Sequence, residues 1–169
     1  PSIETMGGRG VEKLTITNEA DFEERLKKKG NNFIIQELLE QNEFLRSLNP
    51  TSINSCRVTS ILIDGIFTYS AIIKIGRKNS VIDNWNSSIF WGMDNNGVIK
   101  EYGFDSFLEK HTSTDSGFQL SGTSYPDFDK IRVFVEESHR KCFPQCGIVG
   151  WDVFIDKNND VRLIEANLS

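Results

Sequence analysis

Cysteine is scarce in this chain. Three residues, Cys56, Cys142 and Cys146, stand among 169, too few and too oddly numbered for a disulfide framework. Cys142 and Cys146 lie near His139, but no fourth ligand stands at zinc-like spacing, so they read as packing residues. Long apolar runs are missing too. Nothing approaches the roughly 20 consecutive apolar residues of a membrane helix, and no signal-peptide pattern opens the chain, so the expectation is a cytoplasmic protein with no membrane span. Basic charge is in deficit. The net charge of −5 argues against a nucleic-acid partner, and the run Lys27-Lys28-Lys29 reads as the solvated last turn of a helix, where cations complement the macrodipole. There is no internal repeat and no low-complexity tract. The apolar share of 38% and charged share of 25% are those of an ordinary folded protein. The length suits one domain or two small lobes. The chain opens on Pro1 without an initiator Met and stops two residues after Asn167, so the expectation is a fragment with functional parts missing at both ends.

What the sequence does have is concentrated at its end. Gly150 to Asp156 and Val161 to Asn167 are β-branched and aromatic runs flanking the turn-rich residues 157 to 160, the pattern of an antiparallel hairpin. With those four residues as the loop, Asp156 faces Val161, and counting back along both strands places Asp152 opposite Glu165. Asn167 follows on the same face by period-two alternation. Opposed Cβ atoms sit about 5 Å apart, and like charges there destabilise a sheet, so something positive is expected between the acids. Two carboxylates and an amide oxygen form a hard-oxygen site of the kind Mg²⁺ prefers. The competing reading is two acids solvated at a sheet edge. Apolar residues on both faces of the hairpin weigh against it, since acids in a covered strand are costly unless paired or metal-bound.

Earlier in the chain, Met6-Gly7-Gly8-Arg9-Gly10 precedes a candidate strand at residues 11–15. Glycines there allow a tight bend that turns several N–H groups towards an anion, although the spacing fits neither the Walker nor the dinucleotide fingerprint and an ordinary turn has the same composition. Asn18 is placed to cap a helix running to about Lys29, with Gly30 as its stop. Residues 33–39 read as a buried strand, and Glu43 to Leu48 as a short helix closed by Asn49-Pro50. The intervening elbow, Glu37 to Glu43, is of a kind that can offer backbone to a flat heterocycle and a carboxylate to a ribose. Most elbows of this composition do neither.

The clearest hairpin joins Ser55–Ile63 to Ile66–Ile75 through Asp64-Gly65. A two-residue loop puts Ile63 opposite Ile66 and Arg57 opposite Ile72, so that Arg57 and Lys74 share a face as a phosphate-binding pair. The alternative is that each pairs with a local acid such as Glu37 or Glu43. A polar loop containing Arg77, Asp83 and Asn84 follows, then a hairpin around residues 94–97. Residues 111–124, with His111, are long enough to form a mobile lid or substrate loop. Pro126 opens an amphipathic helix to about Cys142, with Phe128, Ile131, Phe134, Val135 and Ser138 on one face.

In this order, a glycine-rich loop, a strand into an acidic elbow, an Arg-bearing hairpin, a helix and a terminal hairpin with Asp and Glu-x-Asn, the chain resembles the nucleotide-binding half of an ATP-grasp enzyme. Asn49 to Thr59, Ile75-Gly76 with Val81-Ile82-Asp83-Asn84, and Gly150-Trp151-Asp152 resemble the sugar-transfer-associated ATP-grasp group, related to α-L-glutamate ligases. The resemblance implies an α+β ATP-grasp fold, mainly antiparallel sheet with helices packed on it, lacking its N-terminal lobe. Residues 1–40 would be the glycine loop and small lobe, and 41–169 the C-terminal lobe with the metal-binding hairpin. It implies that Gly7, Gly8, Arg9 and Gly10 close over the ATP phosphates, that Leu38 and Leu39 offer backbone to adenine beside Gln36 or Glu37, and that Glu43 holds the ribose. Arg57 would contact phosphate, with Lys74 beside it by the hairpin count, and Asp152, Glu165 and Asn167 would hold Mg²⁺. The lysine that the family carries ahead of the glycine loop would fall before Pro1. The implied activity is that of an ADP-forming carboxylate–amine ligase in polysaccharide or cell-surface metabolism, with ATP as cofactor and small-molecule carboxylate and amine substrates. A nucleotide-binding module without chemistry, and a phosphotransferase leaving a stable phosphorylated product, are the rival classes.

Overall fold

The computed structural model describes residues 13–29, 33–77, 80–81, 83 and 85–168. Two compact units divide the chain between Leu39 and Glu40. In the first, α1 (Glu19–Lys29) begins where Asn18 accepts a hydrogen bond from the Asp21 N–H at 2.9 Å, the cap its sequence position requires. No residue of α1 is fully buried. Residues 33–39 depart from the expected buried strand. They form no strand, and Ile34, Ile35 and Leu38 are exposed. A β-branched run supplies strand propensity, but a strand exists only where a second edge completes its hydrogen bonds, and among the described residues none does. The glycine loop, Gly7 to Gly10, lies outside the described residues.

The second unit is built on one seven-stranded sheet in the order β5-β4-β3-β2-β1-β6-β7, antiparallel throughout. Its strands are β1 (Ser55–Leu62), β2 (Ile66–Gly76), β3 (Ser88–Met93), β4 (Ile99–Asp105), β5 (Lys110–His111), β6 (Ile148–Ile155) and β7 (Val161–Leu168). With α1, α2 (Glu43–Leu48) and α3 (Phe128–Cys142), this is the expected α+β architecture among the described residues. Alternation assigns Cys56, Val58, Ile73, Ile75, Ile89, Trp91, Val149, Trp151 and Val153 to one face, and all are buried. Helix α3 packs against β1, β2, β6 and β7, burying Phe128, Ile131, Val135 and His139. The sequence pattern placed Ser138 on that stripe; His139 takes the buried position instead. Its ring is accommodated because both nitrogens are bonded, Nδ1 to the Ser60 hydroxyl at 2.7 Å and Nε2 to the Cys146 carbonyl at 2.9 Å.

Short helix α2 is fastened by amides rather than by area. Gln41 donates to the Ser52 carbonyl and accepts from the Asn54 N–H, both at 2.6 Å. The Asn49 side chain donates to the Gly76 carbonyl at 2.6 Å, and that of Asn54 to the Leu45 and Asn49 carbonyls at 2.8 and 3.0 Å. The Asn49–Asn54 segment therefore satisfies buried backbone groups that no ladder reaches.

Both site-bearing hairpins reach the expected pairings by an unexpected route. Leu62, not Ile63, faces Ile66, and a bulge after Thr59 restores Arg57 opposite Ile72. Ile155, not Asp156, faces Val161, and a bulge after Asp152 restores Asp152 opposite Glu165. The terminal hairpin is not covered on both sides as expected. Strand β7 is the last of the sheet, and Leu163 and Ile164 are exposed. Residues 111–124, a candidate lid, are tied down. Thr114 and Leu120 are buried, Ser113 bridges Gln119, and the Ser116 hydroxyl donates to the Leu48 carbonyl at 2.9 Å.

Candidate functional site

The second face of the sheet carries the polar residues. Cross-strand partners run Glu165, Asp152, Arg57, Ile72, Gly92 along one row, and Ser55, Lys74, Phe90, Phe104, Lys110 along the next. Arg57, Lys74, Asp152 and Glu165 therefore meet at neighbouring positions although they are far apart in sequence. The Arg57 guanidinium grips Asp152 with two parallel bonds, Nε to Oδ1 at 2.5 Å and one terminal nitrogen to Oδ2 at 2.7 Å. Lys74 Nζ lies 3.2 Å from the same Oδ2. The guanidinium lies beside Gly150, where a Cβ would stand 3.5 Å from Arg57 Nη1 and 3.7 Å from the Asn167 Cβ, both ordinary contact distances. Asn167 is held by a 3.4 Å bond from its amide nitrogen to the Gly150 carbonyl.

The positive charge expected beside the opposed acids is present, and it comes from Arg57 and Lys74. Among the described residues of the second unit, neither pairs with Glu43. Burial works to raise the Asp152 pKa, but the Arg57 hydrogen bonds and the charges of Lys74 and Arg57 outweigh it and hold the carboxyl below its ordinary value. The bonds to Asp152 raise the pKa of Arg57 in turn, with the charge of Glu165 adding to them.

Asp83 is the member the sequence did not single out. Its Oδ2 accepts the Ser55 N–H at 2.6 Å, and its Oδ1 lies 3.9 Å from Lys74 Nζ. Burial pushes its pKa up to about 6, against the pull of Lys74. In the sequence Asp83 stands as an acid in the polar loop after the strand of Lys74 and within the Val81-Ile82-Asp83-Asn84 run that carries the family resemblance, without a role of its own. A group whose folded-state pKa is raised takes up a proton on folding, so its contribution to stability is full below about pH 4 and is lost as pH rises through about 6. At about 1.4 kcal/mol per pKa unit, ionisation of Asp83 costs on the order of 2–3 kcal/mol at pH 8. Asp83→Asn should therefore flatten the urea-stability profile between pH 4 and 7, and identical profiles for mutant and wild type would refute this assignment.

Of the other expected site residues in the second unit, Glu43 is not brought into the cluster. Glu43 is exposed in the first turn of α2 and makes no ion pair among the described residues. Gln36, Glu37, Leu38 and Leu39 belong to the irregular stretch of the first unit. A second polar knot, Asp105 with Glu109 and His111, has metal-like spacing, but its central carboxylate is committed. It accepts from the Phe107 and Glu109 N–H groups, from Arg77 at 3.1 Å and from His111 at 3.0 Å, which suits a clamp at the sheet's far edge.

A family model described as sugar-transfer associated ATP-grasp matches residues 2–169. The chain belongs to that family. No curated protein and no solved structure matches the chain. Membership in the ATP-grasp family implies an ATP-dependent, ligase-like function, and ATP-grasp domains generally use ATP and Mg²⁺. The donor set of this ATP-grasp chain fits a divalent cation chemically. Among the described residues the exposed Glu165 side chain makes no hydrogen bond and the Asn167 side-chain oxygen accepts none, its amide nitrogen lying on the Gly150 carbonyl, and a carboxylate such as Asp152 keeps lone pairs beyond those taken by Arg57 and Lys74. Among the described residues no helix is long and apolar enough to cross a membrane.

Proposed function

We propose that the chain is the nucleotide-binding part of a cytoplasmic, Mg²⁺-dependent, ADP-forming carboxylate–amine ligase that works through an acylphosphate, in polysaccharide or cell-surface metabolism. One observation carries the reading: a buried carboxylate, gripped by an arginine fork and a lysine, shares a sheet face with a second carboxylate and an amide oxygen. Such a site neutralises and aims a triphosphate and needs no protein nucleophile. Arg57 spends its Nε edge on Asp152 and keeps Nη1 for an anion; Asp152 fixes the plane of that fork. Lys74, only 13% exposed, adds a point charge with little freedom to wander. Asp152, Glu165 and Asn167 would hold Mg²⁺, which when bound supplies further neutralisation of the phosphates. In the reaction a substrate carboxylate oxygen forms a bond to the γ-phosphorus as the bond to the ADP oxygen breaks. The amine nitrogen then attacks the acyl carbon, phosphate departs and the nitrogen loses its proton. Gly7 to Gly10 would close over the phosphates, Leu38 and Leu39 would offer backbone to adenine beside Gln36 or Glu37, and Glu43 would hold the ribose.

The test is stoichiometric. The full-length protein, given Mg·ATP with a panel of sugar acids and amines, should yield ADP, free phosphate and amide in equal amounts. Saturable ATP binding without ADP would leave only a binding module, and ADP with a stable phosphorylated acceptor would mean a phosphotransferase.

A further inference from the structure

The row that contains Lys74 continues across the sheet into aromatic residues, and no step of the proposed reaction uses them. Phe90 is the cross-strand partner of Lys74, and Phe104 that of Phe90, so the two rings stand about 5 and about 10 Å from the lysine's strand. Tyr102, two residues from Phe104 on the same face, packs edge-on to it at 5.5 Å and 84°. Trp85 leans over Phe90 at 4.9 Å and 33°. Tyr102 and Phe104 are 37% and 41% exposed and Trp85 63%. Single exposed aromatics are commonplace, but a contiguous set beside a charged cluster marks a binding surface. Gly92 leaves a gap in this floor, where a Cβ would meet only Lys100 Cγ at 3.5 Å. The resulting hollow of about 420 Å³ is lined by Phe90, Gly92, Lys100, Glu101, Tyr102 and Phe104.

We propose that this floor seats the pyranose ring of an acidic sugar, with its carboxylate directed along the row towards Lys74 and Arg57. Three features select that ligand. The rings are perpendicular or tilted, so they form a stepped surface that suits the axial C–H groups of a sugar rather than a flat slot for a heterocycle. Lys100 and Glu101 at the rim offer a donor and an acceptor to hydroxyls, and Lys110, 3.7 Å over the Tyr102 ring, adds positive charge. The direction towards Lys74 leads a carboxylate to the cations. The family's description as sugar-transfer associated agrees with this ligand class. The placement of the carboxylate rests on the ligase reading; the ring site does not.

The experiment uses the full-length protein without nucleotide and reads saturation-transfer NMR to D-glucuronate and its oligomers, with D-glucose and adenosine as comparisons. Transfer should fall on the ring C–H protons of glucuronate, with glucose bound more weakly. Phe104→Ala and Tyr102→Ala, both at exposed positions and checked for an unchanged melting temperature, should raise the Kd at least tenfold. Should either variant lose its fold, Phe104→Leu and Tyr102→Leu carry the same comparison. Absence of transfer to any saccharide, or variants that bind as wild type does, overturns the proposal whether or not ADP is formed in the stoichiometric assay. A floor that binds adenosine in preference overturns it as well. Saccharide binding lost in the variants, with no ADP formed from any acid, upholds the floor and removes the ligase reading alone.

Discussion

Asp152→Ala should reduce ADP formation by the full-length protein roughly a thousandfold and also weaken the fold, while Glu165→Ala should match the first effect without the second. The difference follows from their surroundings. The Asp152 side chain is 8% exposed and holds both Arg57 and Lys74; without it two cations face each other from adjacent strands. Breaking a buried pair costs about 3–5 kcal/mol, and because the Arg57 side chain is 35% exposed, solvent screening lowers the expectation to about 2 kcal/mol. Glu165 stands on edge strand β7, exposed and without a hydrogen bond among the described residues, so its removal leaves nothing buried and unpaired. Urea midpoints read alongside an ADP-coupled assay separate a catalytic acid from a structural one. Unchanged turnover in the Asp152→Ala/Glu165→Ala double mutant would leave the ligase without an active centre.

The register at the site is legible in the sequence, although in both hairpins the turn lies one residue away from where its composition places it. A turn fixes register from its own end; the facing of side chains fixes it from the other. In each ribbon these two demands differ by one residue, and a bulge absorbs the difference, after Thr59 in one and after Asp152 in the other. The site end agreed because Arg57, Asp152 and Glu165 must share the face opposite Val58, Trp151 and Val153, and a one-residue slip would bury the charges. A bulge has no periodicity, so it was not foreseen. Residues 33–39 show the reverse failure. Their composition is that of a strand, but pairing is a property of a partner edge, which no local window contains. Asp83 escaped for a similar reason: its importance lies in the Ser55 N–H and the Lys74 ammonium, both brought to it by the sheet and neither adjacent in sequence.

The largest loss of stability is expected at Trp151, the residue that turns into the core as its neighbour Asp152 turns to the site. Its ring is 1% exposed and packs against Phe143 at 5.8 Å and His139 at 6.4 Å. Its indole N–H donates to the Ser60 hydroxyl oxygen at 2.8 Å. The Cys146 carbonyl can only accept, so His139 Nε2 carries the hydrogen; in the neutral imidazole Nδ1 then accepts and Ser60 donates to it. Trp151→Ala removes the ring and the first donor together, costing about 3–5 kcal/mol for the cavity and more for the hydroxyl left short of a partner, enough to unfold a domain of ordinary stability. Trp151→Phe keeps most of the ring and should cost only about 1–2 kcal/mol. Ser60→Ala strands both the indole N–H and Nδ1 in the core and should cost about 2–4 kcal/mol, although it removes a single oxygen. Because one hydroxyl serves both neighbours, the Trp151→Phe/Ser60→Ala double mutant should lose less than the two single changes added together. Additive losses in urea unfolding would show that the three side chains are neighbours without being a network. An ADP-formation rate that stays at the wild-type level in Trp151→Phe would show that the core face sets the height of β6 and leaves the chemistry of the opposite face to Asp152.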